Sequence, residues 1–588
     1  MKTYYSVEKN VQILIALLKA HKIRKIVASP GSTNICFVAS VQNDPYFEMY
    51  SCVDERSAGY MACGIAAESG EPVVISCTGA TASRNYIPAL TEAYYRKLPV
   101  IAVTSTRSIA EIGQNIPQVM DRTNPLNDIA KISVYLPYIS GKDEEWECNL
   151  NVNRALLEAR RHGGGPVHIN LMTKYREDFS VKELPEERVI RRVQYQDKCP
   201  KVPQGKIGIF VGSMPKWSAE QTEAVEKFCE NYNAVVLYDP TSNYKGKYGI
   251  MGNLIMNQHA CDSTTRSFDL IIHIGDVSGA YMLINPKNVW RIHPDGEVRD
   301  TFKKLTYVFE MNVTDFFRRY NKATGTTEKN TALYDRLHAE YEKLRANLYE
   351  NLDNIPFSNP WIATQTVNSL PEGSVLHLAI LNSLRNWSFI DIPESVLAYS
   401  NVGGFGIDGC VSSMIGASLC NPDKIYYCVV GDLAFFYDLN SIGNRHVGSN
   451  IRILLINNGI GNEFKLKQTL SIKAGLDSDT DPFIAATGHY GNKSPDLVRH
   501  YAQDLGFEYL TASGKEEYLE NLGRFTNPII DEKPILFEVF TDSDEEVEAL
   551  LDVKNLQNDM KYELKQSIKD IVGKQTINRV KQMLKGGD

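Results

Sequence analysis

Three successive blocks of apolar strands alternating with helical stretches predict an α/β protein: three doubly wound parallel-sheet domains followed by a charged helical tail. Two strand ends make the parallel assignment concrete. Strand 424–430 runs into Gly431-Asp432, strand 451–456 runs into Asn457-Asn458, and a helix-like stretch from about 435 to 445 separates them. Such a βαβ unit crosses over right-handed and sets both polar pairs at the same carboxyl edge of the sheet. A carboxylate and an amide oxygen there, beside a helix N-terminus, can jointly hold a hard divalent cation that carries a diphosphate.

The first block spans 1–185, with strands expected near 25–28, 48–52, 73–77, 100–104 and 167–171. A polar, proline-bearing linker, roughly 181–204, separates it from a central block over 200–345. There, strands are expected at 206–211, 234–238 and 270–274, with no Gly-x-Gly-x-x-Gly after the first of them, so a dinucleotide site has weak support. A charged helical segment, about 330–351, leads into the third block over 355–545. In the tail, 546–588, Val553, Leu556, Met560, Leu564, Ile568 and Ile571 recur every three or four residues among many charges, as in an amphipathic helix. Packing on its own domain is the expected use of that helix, with subunit contact the alternative.

Composition bounds the function. At 588 residues, 43% of them hydrophobic, the chain is long enough for three or four domains with large cores. Its formal charge of −8 argues against nucleic acid or an anionic membrane as a partner. No apolar run reaches spanning length, and the first residues lead into a helical pattern instead of a signal peptide, so a cytoplasmic location is expected. Eleven cysteines, an odd number without a Cys-x-x-Cys pair, read as reduced thiols. Cys36, Cys52, Cys63, Cys77, Cys420 and Cys428 sit in apolar contexts that suit small buried side chains.

Glu55 follows strand 48–52 and opens a helix over about 57–68. Alone, an acidic residue there is ordinarily a favourable charge at the helix dipole. Together with Asp432 and Asn458, 26 positions apart, it resembles the activating glutamate of the thiamine diphosphate enzymes. Within that superfamily the chain is similar to the menaquinone-pathway branch, the 2-succinyl-5-enolpyruvyl-6-hydroxy-3-cyclohexene-1-carboxylate synthases. Ser29-Pro-Gly-Ser32, Asp54-Glu-Arg56, Gly406-Ile-Asp-Gly409, and Gly431-Asp-Leu-Ala434 with Tyr437-Asp-Leu-Asn440 carry the similarity across the first and third blocks. Leu433 stands where a third glycine is more widespread, and that branch also carries leucine.

The resemblance implies a pyrimidine-binding, a central and a diphosphate-binding domain, with thiamine diphosphate and Mg2+ as cofactors. It implies Asp432, Asn458 and the backbone carbonyl of Ile460 as metal ligands, within a cofactor set of Ser32, Glu55, Thr78, Asn85, Ile407, Gly431, Asp432, Leu433, Ala434, Asn458 and Ile460. Ile407 would prop the cofactor in its bent form, and Glu55 would share a proton with the pyrimidine nitrogen. Gln118 matches a substrate-side glutamine and is the second catalytic candidate, with Asn115 beside it; Thr81 is a further strand-end residue facing the presumed cleft. Because Glu55 and the metal ligands lie on different blocks, the resemblance implies a homodimer or homotetramer with shared active sites.

The chain departs from that branch where arginines and a lysine are expected to grip carboxylates. Thr33, Trp387 and Val402 occupy expected arginine positions, with Arg385 two residues before Trp387, and the basic pair of the central block is replaced near Gly279-Ala-Tyr281. The sequence reading is therefore decarboxylation of a smaller or less anionic 2-oxo acid, such as pyruvate, with carboligation to an aldehyde or keto-sugar. Thr33, Asn115, Arg385, Trp387, Val402 and Phe405 would line the substrate side, Trp387 and Phe405 by stacking. The alternatives are a true menaquinone-pathway synthase using 2-oxoglutarate and isochorismate, a flavin-assisted 2-oxo acid oxidase, and a non-catalytic cofactor-binding relative.

Overall fold

A computed structural model describes residues 4–324, 329–466, 469–489 and 493–557. The chain divides into two compact units: Met1–Cys199 with Asp295–Glu310, and Pro200–Pro294 with the described residues from Met311 onward.

In the first unit, β1 (Lys25–Ala28), β2 (Glu48–Ser51), β3 (Val73–Cys77), β4 (Val100–Thr106), β5 (Ser133–Leu136) and β6 (Val167–Met172) form a parallel sheet in the order β2-β1-β3-β4-β6-β5. β3 and β4 are buried along their whole length, which is why they read as unbroken apolar runs instead of alternating ones. Two apolar clusters account for this two-sided burial. One joins helix Lys9–Ala20 to Ile26, Val74 and Ile101, and the other joins helices Glu55–Ser69 and Ile87–Arg96 to Val27, Val73 and Ile75.

The expected linker is partly a strand, β7 (Arg191–Gln194). It pairs in parallel with β13 (Leu305–Glu310), which is why Asp295–Glu310 groups with the first unit. Buried Asp300 accepts from Arg188 at 2.5 Å and from the Trp146 indole at 3.0 Å, and Arg192 meets Glu158 at 2.7 Å.

In the second unit, β8 (Ile207–Val211), β9 (Ala234–Tyr238), β10 (Gly249–Met251), β11 (Ser267–Ile274) and β12 (Asn285–Ile292) run parallel in the order β10-β9-β8-β11-β12. A further parallel sheet holds β14 (Val375–Leu378), β15 (Leu397–Tyr399), β16 (Tyr426–Gly431), β17 (Ile451–Asn457), β18 (Glu508–Ala512) and β19 (Ile535–Phe540) in the order β15-β14-β16-β17-β19-β18. That is the strand order of the first sheet repeated. Both sheets reverse direction between their first and third strands in sequence, where ligands of open α/β sheets bind.

The charged segment is a helix, Ala332–Glu350, and the tail begins as helix Ser543–Lys554. Val553 and Leu556 are buried, while Met560, Leu564, Ile568 and Ile571 lie outside the described residues. All eleven cysteines are free; Cys420 is exposed, contrary to its apolar sequence context, because it lies just beyond the end of helix Cys410–Ser418. No described helix is long and apolar enough to cross a membrane.

Candidate active site

The register Tyr426↔Ile451 through Gly431↔Ile456 places Asp432 and Asn458 one or two residues past neighbouring strand ends. Gly431, Asp432, Leu433, Ala434, Asn458 and Ile460, together with Ile407, line a single cavity of ≈150 Å³. Every residue of the third block named for cofactor or metal binding is therefore gathered in one place. Gly459, at φ +72°, makes the turn that brings Ile460 to the cavity, and the Ile460 amide lies 3.4 Å from the Asn458 side-chain oxygen. Of the Asn-Asn pair, Asn457 faces the other way and donates to buried Glu538 of β19 at 2.7 Å.

Asp432 is 7% exposed, and burial pushes its carboxyl up to about 7, against the opposing pull of the Leu433 and Gly459 amides. A carboxylate so deeply buried without a cation partner is costly, and a bound cation would relieve that cost. The donor set also suits magnesium: one carboxylate, one amide oxygen and one carbonyl, leaving octahedral positions for diphosphate oxygens and water. The residues present fit a magnesium–diphosphate group.

Sequence reasoning did not single out several other cavity residues, among them Glu546, Asn359 and Glu463. Glu546, on helix Ser543–Lys554, accepts from the Asn359 backbone amide at 3.0 Å, and burial pushes its carboxyl up to about 7. In sequence it is one of three acidic residues opening a helix after the N-cap Asp542, a pattern that reads as dipole charge. Asn359 and Glu463 likewise line the cavity and carry no motif.

In the first unit the candidates stand at the carboxyl edge of the sheet. Asp54 caps helix Glu55–Ser69, accepting from the Arg56 amide at 3.0 Å, and so fixes Glu55 as its first residue. A Glu55 carboxylate oxygen accepts from the Asn85 side chain at 3.1 Å. Gly31 lies between β1 and Ser32 where a Cβ would stand 2.5 Å from that of Thr78, so glycine is required for the loops after β1 and β3 to cross. Thr81 starts the short helix Thr81–Asn85. Asn115 and Gln118 are exposed in the loop after β4, with φ of +58° and +64°. Ser32, Thr33 and Gln118 line a cavity of ≈490 Å³ with Arg107, Tyr175 and Arg176.

Several substrate-side expectations need correction. Trp387 cannot stack on a ligand: it is fully buried and donates to Asn359 Oδ1 at 3.2 Å. Val402 is buried against the Gly279 backbone, beside Leu384 and Phe405. Arg385 is occupied, donating to Glu463 at 2.5 and 3.0 Å and to Asn382 at 2.8 Å. Thr33, though at the cavity wall, is committed to its loop: its hydroxyl meets that of Thr78 and accepts from the Gly79 amide at 2.8 Å. Phe405, at φ +55°, packs edge-on to Tyr281 at 5.9 Å.

Residues 9–124 match the model of the thiamine pyrophosphate enzyme N-terminal TPP-binding domain. The chain is 32% identical over 573 residues to the 2-succinyl-5-enolpyruvyl-6-hydroxy-3-cyclohexene-1-carboxylate synthase of Bacteroides thetaiotaomicron, covering 93% of this chain and 98% of that protein. It is 29% identical over 545 residues to the synthase of the same name from Desulfotalea psychrophila, covering 89% and 96%. Among solved structures, a thiamine diphosphate-dependent 4-hydroxybenzoylformate decarboxylase of Rhodococcus jostii RHA1 matches with a TM-score of 0.40 at 16% identity, covering 91% of this chain and 100% of that one. With its motif residues in place and its similarity running nearly end to end, the chain belongs to the thiamine pyrophosphate-dependent enzymes, in the family of the 2-succinyl-5-enolpyruvyl-6-hydroxy-3-cyclohexene-1-carboxylate synthases.

Proposed function

We propose that this enzyme decarboxylates 2-oxoglutarate and joins the resulting four-carbon unit to isochorismate, the reaction implied for its family. The observation that carries this reading is the full-length similarity combined with the gathering of the third-block cofactor residues around one cavity. In this reading Asp432, Asn458 and the Ile460 carbonyl hold magnesium and, through it, the diphosphate. Ile407 supports the cofactor from its apolar side, and Glu55, aligned by Asn85, holds and returns a proton at a pyrimidine ring nitrogen. When bound, thiamine diphosphate supplies the nucleophilic carbon and the electron sink. Gln118 orients the substrate by hydrogen bonding.

Glu55 and Asp432 belong to different compact units, and the helix that Glu55 opens exposes Tyr60 and Met61, with Val53 just before it. A homodimer or homotetramer that covers this face and shares its active sites is part of the proposal. Mass determination in solution tests it, and a monomer at micromolar concentration would end it.

One observation favours a second reading, with a smaller 2-oxo acid and an uncharged acceptor. Three positions expected to carry basic side chains form apolar structure instead: buried Trp387, buried Val402, and Gly279 packed against Leu384 and Phe405. Incubating the magnesium- and thiamine diphosphate-loaded enzyme with 2-oxoglutarate plus isochorismate, and separately with pyruvate, decides between them. Stoichiometric carbon dioxide and a coupled product from the first pair support the leading reading. Turnover of pyruvate alone overturns it.

A further inference from the structure

The segment after β6 is held in an unusual way. Glu8, 1% exposed, accepts from the Lys174 amide at 3.1 and 3.2 Å and from the Arg176 amide at 3.0 Å. Gripping both amides folds the chain sharply between them, and Tyr175 sits at φ +52°, in the left-handed region that a bulky side chain rarely adopts. The Tyr175 hydroxyl is shut off from solvent and makes no well-aligned hydrogen bond, although the Arg107 guanidinium lies beside it. Such an orphaned polar atom in a folded protein needs an explanation, and a ligand supplies one.

The surroundings indicate which ligand. The Arg107 guanidinium lies 5.7 Å from the Tyr175 ring centroid. Arg107, Tyr175 and Arg176 line the ≈490 Å³ cavity together with Ser32 and Gln118. Glu177 also borders it, so two guanidinium groups face one carboxylate. Arg107 has a single, exposed and loose ion pair, with Glu111 at 3.5 Å, and the Arg176 guanidinium has no carboxylate partner among the described residues. Two under-used planar donor forks, an orphaned hydroxyl and an amide side chain around one cavity match a planar, anionic group.

We propose that Arg176 and Tyr175, displayed by the Glu8-clamped turn, form a carboxylate-binding subsite that determines substrate specificity and substitutes for the guanidinium missing at position 33. This rests on the proposed reaction only for the identity of the substrates: the shared chemistry is a carboxylate, borne by either the 2-oxo acid or the acceptor.

The test uses the full chain loaded with magnesium and thiamine diphosphate, as wild type, Arg176→Gln, Arg176→Lys and Tyr175→Phe. Each is titrated calorimetrically with succinate, a dicarboxylate that cannot react. Arg176→Gln should weaken succinate binding by about tenfold to a hundredfold, the usual effect of removing a charged hydrogen-bond donor. Arg176→Lys should recover part of it, since an ammonium group lacks the fork. Tyr175→Phe should weaken binding with little change in melting temperature, because the hydroxyl has no well-aligned hydrogen bond to the protein to lose.

Two kinetic arms then locate the carboxylate. A raised KM for 2-oxoglutarate, read from carbon dioxide release without acceptor, assigns it to the donor. A raised KM for isochorismate alone assigns it to the acceptor. Succinate affinity unchanged by Arg176→Gln, or no succinate binding to the wild type, overturns the subsite. If the wild type does not turn over the substrate pair, the proposed reaction fails while the succinate titration still decides the subsite.

Discussion

The carboxyl edges of the first and third sheets share one strand order but differ in how finished they are. At the third sheet, Asp432 and Glu546 are enclosed, and six segments converge on one cavity: the ends of β14, β16 and β17, the loop carrying Ile407, Asn359, and helix Ser543–Lys554 through Glu546. At the first sheet, Glu55 is half-exposed and Val53 beside it is 79% exposed. The third edge closes a cavity around Asp432 within its own unit, whereas the first leaves the Glu55 carboxylate half-exposed among exposed apolar neighbours. In the proposed reading, binding the diphosphate and activating the cofactor therefore rest on separable parts.

The largest expected effect separates those parts directly. Glu55→Gln should lower turnover by about 10²–10⁴-fold, the usual worth of a positioned acid–base group. Calorimetric binding of thiamine diphosphate with magnesium should persist, and loss of binding would merge the two roles. Asp432→Asn should do the reverse, abolishing magnesium-dependent cofactor binding while the cofactor-free protein melts no lower than wild type, since the substitution removes a buried charge. The pH dependence follows in sign. Burial raises the folded-state Asp432 carboxyl from 3.8 to about 7, so without a cation its contribution to stability is full in acid and is lost as pH rises through about 7. Cation binding needs the ionised form, so thermal stabilisation by magnesium plus cofactor should grow as pH rises over the same window.

Trp387 provides a stability test within the third-sheet edge. Trp387→Ala should cost about 3–5 kcal/mol by leaving a cavity in a packed core. Substrate KM values should stay unchanged in any variant that folds, and Trp387→Phe provides a milder version in which a shifted KM would restore a substrate role.

The smallest effect lies within the first sheet, at His168 of β6. Burial lowers His168 from 6.5 to about 3, and its ring nitrogens meet Thr104 at 2.7 Å and Ser133 at 2.8 Å. A neutral histidine held this way stabilises fully above about 6.5, and the contribution declines as pH falls below that value. Denaturant titrations between pH 7 and 4 should show a shallower acid decline in His168→Gln than in wild type.

Apolar runs such as 73–77 and 100–104, which need two covered faces, made the parallel sheets legible in the sequence, and the strand ends marked the edge where Asp432 and Asn458 line one cavity. Strand periodicity and the βαβ rule suffice to place Asp432 and Asn458, because both sit within two residues of adjacent strand ends. Half-polar strands such as β7, with Arg191, Arg192 and Gln194 around a single buried Val193, escaped it, since they show no apolar run. The inward-facing Glu546, the core positions of Trp387 and Val402, and Arg176 at a cavity emerge only from the folded packing. Burial and hydrogen-bond partners depend on segments far apart in the chain, as with Glu546 and Asn359, 187 residues apart, or Glu8 and Arg176, 168 apart, and no local pattern encodes which of several alike side chains will meet them.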